Sequence, residues 1–238
     1  MCRKLALLIF IVVFLSGCAG YERVKVPPKI GLEGAEKIAI LFFDNYTADS
    51  ALPRQLEQEL KHKLARQFQI LEPAETAWAL SRLGLSRGDL PNFKQAVRLG
   101  KLLEVDALLV GEVTSYFAPI RQSAPYISKT RVLDDDSREY QWEISQTTIV
   151  MVGFTGRVIS GRTGNVIHLD RAEGEATKVR REFLGRRWYP EGKEPDQFFL
   201  PRVSERDLFE VRASALKQAV DQFTADLLPT WAWRKTDQ

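Results

Sequence analysis

Few side chains in this sequence stand at the spacings that chemistry requires. Gly84-Leu85-Ser86-Arg87-Gly88 matches G-x-S-x-G, in which a serine on a sharp strand-to-helix turn attacks a carbonyl, with a downstream histidine, here His168, as base. The surroundings argue against that reading. A helical pattern precedes the serine and a polar break follows it, so the segment predicts a solvated loop between helices, and hydrolysis by Ser86 stands only as an alternative. His62 and His168 are the only imidazoles, and neither has a Cys, His or carboxylate at metal-ligand spacing. His62 falls on the polar side of its helix and His168 on the outward face of its strand, which predicts two surface histidines. Asp134-Asp135-Asp136 lacks the alternating spacing and distal Glu of a calcium loop and reads as a solvated turn. No G-x-x-x-x-G-K-[ST] cradle for phosphates occurs. The expectation is a protein with no catalytic residue, no metal and no cofactor.

Two aromatic segments are better suited to binding. Val179 to Tyr189 interleaves Arg180, Arg181, Arg186 and Arg187 with Phe183, Trp188 and Tyr189, a composition enriched at interface hot spots and suited to anionic surfaces. Arg180, Arg181, Arg186, Arg187, Trp188 and Tyr189 are therefore the candidate partner-binding residues; a charged loop whose aromatics pack back on the domain fits the composition equally well. Trp231-Ala232-Trp233 reads either as packing against a sheet or as a contact at a membrane face.

The chemistry most sharply written in the sequence is at Cys18. Arg3 and Lys4 precede the apolar run Leu5–Leu15, which is the length of a signal-peptide core and too short to span a bilayer, for which roughly 20 helical residues are needed. Leu15-Ser16-Gly17-Cys18 then resembles the bacterial lipobox: small residues before the scissile bond, and a thiol to accept the lipid. Cleavage before Cys18 would leave an acylated cysteine whose several acyl chains hold the protein stably on a membrane. Residue 19 is Ala rather than Asp, which by resemblance to enterobacterial sorting directs the protein to the outer membrane, periplasmic face.

The rest of the chain must position whatever binds. Of 238 residues, 45% are hydrophobic and 27% charged, with a net charge of +3, which is globular composition without the positive surplus of a nucleic-acid binder. Both cysteines, at positions 2 and 18, lie in the first twenty residues, so no disulfide framework is expected. Tyr21 to Gly34 mixes charges, prolines and glycines without periodicity and reads as a tether. Lys37–Asp44 and Asp106–Val113 are continuous apolar runs suited to central strands. Leu56, Leu60, Leu64 and Phe68 make one helical stripe, capped by Ser50; Pro73–Leu83 and a segment with Phe93, Val97 and Leu99–Leu103 predict two more helices. From Tyr140 to Val158 the even positions are mostly apolar and the odd ones, Gln141 and Glu143 among them, polar: the two-residue period of a half-buried strand, returning through Ser160–Asn165 to Val166–Leu169. Ala118–Glu139 predicts a loop or the distal ends of long strands, and Lys178–Arg202 an irregular stretch. Ser204 caps a final helix with Asp207 at its third position, buried along Leu208, Val211, Ala215, Leu216, Ala219, Phe223 and Leu227 and ended by Pro229. The organisation expected is a signal peptide (1–17), lipidated cysteine and tether (18–35), one domain (36–228) and a tail (229–238). Its class is α/β with α+β character in the second half: a single mixed sheet flanked by helices.

Three stretches resemble the periplasmic domain shared by the curli secretion lipoprotein CsgG, the penicillin-binding-protein activator LpoB and the N-terminal domain of TolB. They are Ile38–Thr47 (IAILFFDNYT), Val105–Val113 (VDALLVGEV) and Gly153–Ile167 (GFTGRVISGRTGNVI). The resemblance covers about residues 36 to 228 and implies an anticodon-binding-like fold, with a non-enzymatic role in binding or assembly within a cell-envelope system. A protein partner in the envelope is implied, and edge-to-edge oligomerisation is left open. The alternative that the family suggests is an oligomeric export pore of the CsgG type. Prolines at 190, 195 and 201 and dense charge argue against an apolar, lipid-facing strand within 178–202.

Overall fold

The computed structural model describes residues 21–30, 32, 34–184, 188–193, 195 and 204–235. The proposed signal peptide, Cys18, Arg186 and Arg187 lie outside them. In chain order the described elements are β1 (Tyr21–Val26), β2 (Lys37–Asn45), α1 (Leu52–Leu64), β3 (Gln69–Ile70), α2 (Pro73–Arg82), α3 (Phe93–Leu103), β4 (Ala107–Phe117), β5 (Ile120–Gln122), β6 (Tyr126–Val132), β7 (Arg138–Ser160), β8 (Val166–Phe183), β9 (Tyr189–Pro190), α4 (Glu205–Thr224) and β10 (Thr230–Lys235). They divide into two units, one built from the two ends of the chain (up to Glu33 and from Ala225) and one from Gly34–Thr224. None of the described helices is long and apolar enough to cross a membrane.

The larger unit is a mixed sheet. β2 runs parallel to both β3 and β4, β4 pairs antiparallel with β7, and β7 with β8. β2 and β4 are buried along most of their length, as continuous apolar strands inside a sheet must be. One cluster joins Leu41, Leu108, Val110 and Ile159 to Ala79 and Leu80 of α2 and to Ala96, Leu99 and Leu103 of α3. Phe43 of β2 and Phe154 of β7 stack edge-on at 5.8 Å, and Phe154 meets Phe223 of α4 at 5.4 Å. The α1 stripe is buried at Leu52, Leu56, Leu60 and Leu64 as its four-residue spacing predicts.

Local signals set the ends of the helices. Asn92 Oδ1 accepts from the Gln95 amide while Gln95 Oε1 accepts from the Asn92 amide, a reciprocal cap that starts α3. Ser204 caps α4 as predicted, its Oγ accepting from the Asp207 amide at 3.0 Å. The start of α1 differs from expectation: its N-cap is Ala51 with no side-chain cap, and Asp49 Oδ1 accepts from the Ala51 amide in the turn just before the helix. α4 ends at Thr224, short of Pro229. Asp106 locks one end of the sheet by accepting from the Glu36 and Lys37 amides and pairing with Arg162 in the β7–β8 turn at 2.6 Å. Burial pushes its carboxyl upward, but those amides and the guanidinium outweigh burial and hold it below the usual carboxylate range.

Four expectations are corrected. Tyr21–Val26 is a strand rather than an aperiodic tether, paired antiparallel with Thr230–Lys235. Lys178–Phe183 belongs to β8, so Arg180 and Arg181 stand on regular strand. Gln141 and Glu143 are buried although their odd positions predict exposure. His168 is half-buried and faces α4 rather than outward: it packs on Phe223 with ring centroids 5.1 Å apart, and its Nε2 is buried without a hydrogen-bond partner among the described residues.

Candidate functional site

β7 is 23 residues long and β8 is 18. Together they form a long arm backed by α4 from His168, beside Phe223, to Arg180, beside Asp207, and the edge of β7 opposite β8 is lined in turn by β4, β5 and β6. Residues directly opposite in antiparallel pairing share a face, so the register sorts the side chains. The even positions of β7 and residues such as Ala172 and Gly174 of β8 turn toward α4. The odd positions of β7 form the outer face in rows: Phe117–Met151–Glu175, Arg121–Thr147–Val179, Ser145–Arg181 and Tyr126–Glu143–Phe183. On this face Val179 is 54% and Phe183 57% exposed. Tyr126 donates its hydroxyl to Glu143 Oε2 at 3.3 Å, which holds the one buried carboxylate of the row. Among the described residues Arg121 and Arg181 have no carboxylate partner on this face. Exposed apolar side chains beside guanidinium groups are a composition enriched at binding surfaces.

The structure divides the candidate binding residues. Arg181 joins the outer face. Arg180 points the other way, paired with Glu182 at 2.6 Å and Asp207 at 3.6 Å, while Lys178 beside it reaches Asp207 and Glu210. Hydrogen bonds from Lys178 and Ser204 hold the Asp207 carboxyl below its ordinary range. Arg180 is thus a strut between β8 and α4. Trp188 is half-buried with the Arg131 guanidinium 4.5 Å above its ring, and Tyr189 sits in β9 against Tyr140. Ala118–Glu139 reads as a loop or as the distal ends of long strands, and β5 and β6 make it strand; Arg121 and Tyr126 were not among the candidates, and the signal that finds them is their register on β7.

The remaining sequence candidates are dispersed. Ser86 lies in the exposed loop between α2 and α3, where its amide donates to Asp89 Oδ2 and the Asp89 amide returns to the Ser86 carbonyl. Asp135 accepts from the amide and hydroxyl of Ser137 in the turn between β6 and β7. Next to Ser86, Arg87 pairs with Glu57 of α1 at the rim of a cavity of about 560 Å³, floored by Leu41, Leu71 and Leu80. Glu57 Oε1 also accepts from the Phe43 amide at 3.0 Å.

Burial raises the Glu57 carboxyl above its ordinary range, against the opposing pull of Arg87 and the Phe43 amide. A raised carboxyl binds its proton more tightly in the folded state than in the unfolded one. Stability from this group is therefore full at low pH and falls as pH rises from the ordinary carboxylate range through the raised value. Glu57→Gln keeps an acceptor for the Phe43 amide and removes the titration. The variant is expected within about 0.5 kcal/mol of wild type near neutral pH, with a flatter pH dependence of urea unfolding, whereas Glu57→Leu orphans the amide and costs about 1–3 kcal/mol.

No family model matches this sequence, and no curated protein matches it. Among solved structures, the LpoB C-terminal domain from Salmonella enterica matches with a TM-score of 0.39 at 14% identity, over 60% of this chain and 84% of that one. Lipoprotein GNA1162 from Neisseria meningitidis matches with a TM-score of 0.39 at 14% identity, over 62% of this chain and 83% of its own. A PelC dodecamer from Paraburkholderia phytofirmans matches with a TM-score of 0.32 at 14% identity, over 84% and 95% of the two chains.

Proposed function

We propose that this chain is a lipoprotein of the bacterial envelope, acylated at Cys18 and held on the periplasmic face of the outer membrane. It acts by binding a protein partner of an envelope assembly system rather than by catalysis. The lipobox Leu15–Cys18 supports the anchor, and the motifs shared with the CsgG, LpoB and TolB domain support the envelope role. The observation that carries the binding reading is the outer face of the β7–β8 arm, where Val179, Phe183 and Tyr126 stand exposed beside Arg121 and Arg181. A partner offering an apolar segment flanked by carboxylates satisfies both guanidinium groups. An export pore built from this arm is disfavoured, because β8 carries charge on both faces, Glu175 and Arg181 on one and Lys178, Arg180 and Glu182 on the other, so neither offers lipid an apolar band.

The test is photo-cross-linking in intact cells from position 183. A single discrete envelope adduct is expected, and Arg181→Glu with Phe183→Asp is expected to lower co-purification of that protein on the order of 30-fold, the loss of about 2 kcal/mol at a hot spot. Lys101→Glu, on the exposed side of α3, serves as control. Equal capture from position 101, or co-purification unaffected by the double substitution, overturns the reading.

A further inference from the structure

β1 and β10 form a two-stranded ribbon whose register is Tyr21↔Lys235, Glu22↔Arg234, Arg23↔Trp233, Val24↔Ala232, Lys25↔Trp231 and Val26↔Thr230. Alternation places Tyr21, Arg23, Lys25, Trp231 and Trp233 on one face and Glu22, Val24, Val26, Thr230, Ala232 and Arg234 on the other. The first face holds three aromatic rings and the cations Arg23 and Lys25, with Lys235 at the register position opposite Tyr21, and it has no carboxylate; the one acidic residue of the ribbon, Glu22, is on the opposite side. Its rings are turned to solvent, Tyr21 60%, Trp231 57% and Trp233 71% exposed. The Arg23 guanidinium lies 5.0 Å from the Trp231 ring, so cation and aromatic are already adjacent. A two-stranded ribbon that leaves both indoles in water gains little from burial, and a structural role does not explain the sorting.

The chain outside the described residues supplies the occupant. Only residues 19 and 20 separate Cys18 from Tyr21, which limits the Cys18–Tyr21 separation to about 11 Å. With Cys18 acylated, the Tyr21 end of the ribbon, which Trp233 shares, cannot leave the neighbourhood of the headgroups, a zone of roughly 7 Å on each side of the hydrocarbon. Indole and phenol rings favour that zone, and Lys and Arg there meet the phosphates. We infer that the Tyr21–Arg23–Lys25–Trp231–Trp233 face of the ribbon is a lipid-contacting surface that lies in the headgroup region and prefers anionic phospholipid. This rests on the acylation of Cys18 proposed above. The inference extends that reading: the anchor fixes position, and the ribbon adds orientation by giving the chain a second, non-covalent contact with the bilayer.

The test uses the full chain reconstituted in vesicles of acyl-brominated phosphatidylcholine with phosphatidylglycerol, with tryptophan emission as the readout. Bromine is expected to quench a large part of the emission, and Trp231→Phe with Trp233→Phe is expected to remove at least half of that quenching, although Trp78, Trp142 and Trp188 remain. A second variant, Arg23→Glu with Lys25→Glu, keeps both indoles and is expected to lower quenching in phosphatidylglycerol vesicles while leaving it unchanged in pure phosphatidylcholine. Quenching that the double Trp variant does not alter overturns the inference. So does a ribbon reached by aqueous acrylamide but not by bromolipid, or one shielded from both, which means that protein covers it. The mass of the same preparation reads the anchor separately. Diacylglyceryl mass on Cys18 without ribbon quenching sinks the ribbon alone, and ribbon quenching without added mass sinks the anchor alone.

Discussion

Gly174→Ala is expected to destabilise the larger unit by about 3 kcal/mol, a fall in melting temperature of roughly 6–12 °C for a unit of this size. A Cβ on Gly174 would stand 2.0 Å from the Ala215 carbonyl oxygen and 2.7 Å from the Ala219 amide nitrogen, so β8 and α4 meet there backbone against backbone. Neither side yields cheaply. α4 is fixed by its buried row of Val211, Ala215, Ala219 and Phe223, and β8 by its long pairing with β7. Gly84→Ala provides the contrast. Its φ is +65° with nothing within 4 Å of the added carbon, so only left-handed strain is charged, about 1–2 kcal/mol. Urea unfolding monitored by circular dichroism separates the two, and a Gly174→Ala variant within about 1 kcal/mol of wild type would show that α4 rides up without loss. The consequence reaches function, because α4 backs the inner face of the arm whose outer face is the proposed docking surface.

The parts of the fold that the sequence announces are those in which a single face or a single run decides burial. β2 and β4 are continuous apolar runs, α1 and α4 carry one apolar stripe each, and each appears within a few residues of its expected bounds. Burial at the tip of the arm follows a different rule. Glu143 is polar and at an outward position, yet Tyr126 and Phe183 flank it from both neighbouring strands, so cross-strand side chains bury it and the Tyr126 hydroxyl compensates. Lys178–Phe183 reads as irregular because its charges and the prolines beyond it dominate the window; what makes it a strand is pairing with β7. The β1–β10 pairing is the extreme case. Tyr21–Val26 has no apolar stripe, and its partner strand begins at Thr230, so no local window contains the information.

The candidate site was legible to the same degree. Composition alone picks out Arg180 and Arg181 together. Adjacent residues on a strand face opposite ways, however, and one becomes an internal strut to Asp207 while the other joins the outer surface. Tyr126 and Arg121 enter only through register, since their segment lacks the uninterrupted alternation that marks β7.

Phe223→Ala is expected to cost about 3–5 kcal/mol, the largest loss among single substitutions in α4. The ring is fully buried, tilts on Phe154 at 5.4 Å and on His168 at 5.1 Å, and fills the space above Gly156, where an added Cβ would come within 2.5 Å of it. It therefore joins α4 to β7 and β8 at once, and through Phe154 to Phe43 of β2. Where the loss falls in that range depends on His168, whose buried Nε2 has no hydrogen-bond partner. Removing the ring opens a space whose one polar group gives a water a single bond where two to four are needed, so the space stays dry and the cost falls near the upper end. Because Gly174 and Phe223 act on the same helix–hairpin contact, the double variant Gly174→Ala, Phe223→Ala should cost less than the sum of the two. Strict additivity would mean that α4 is held at its two ends by independent contacts, and that the arm can lose one without disturbing the other.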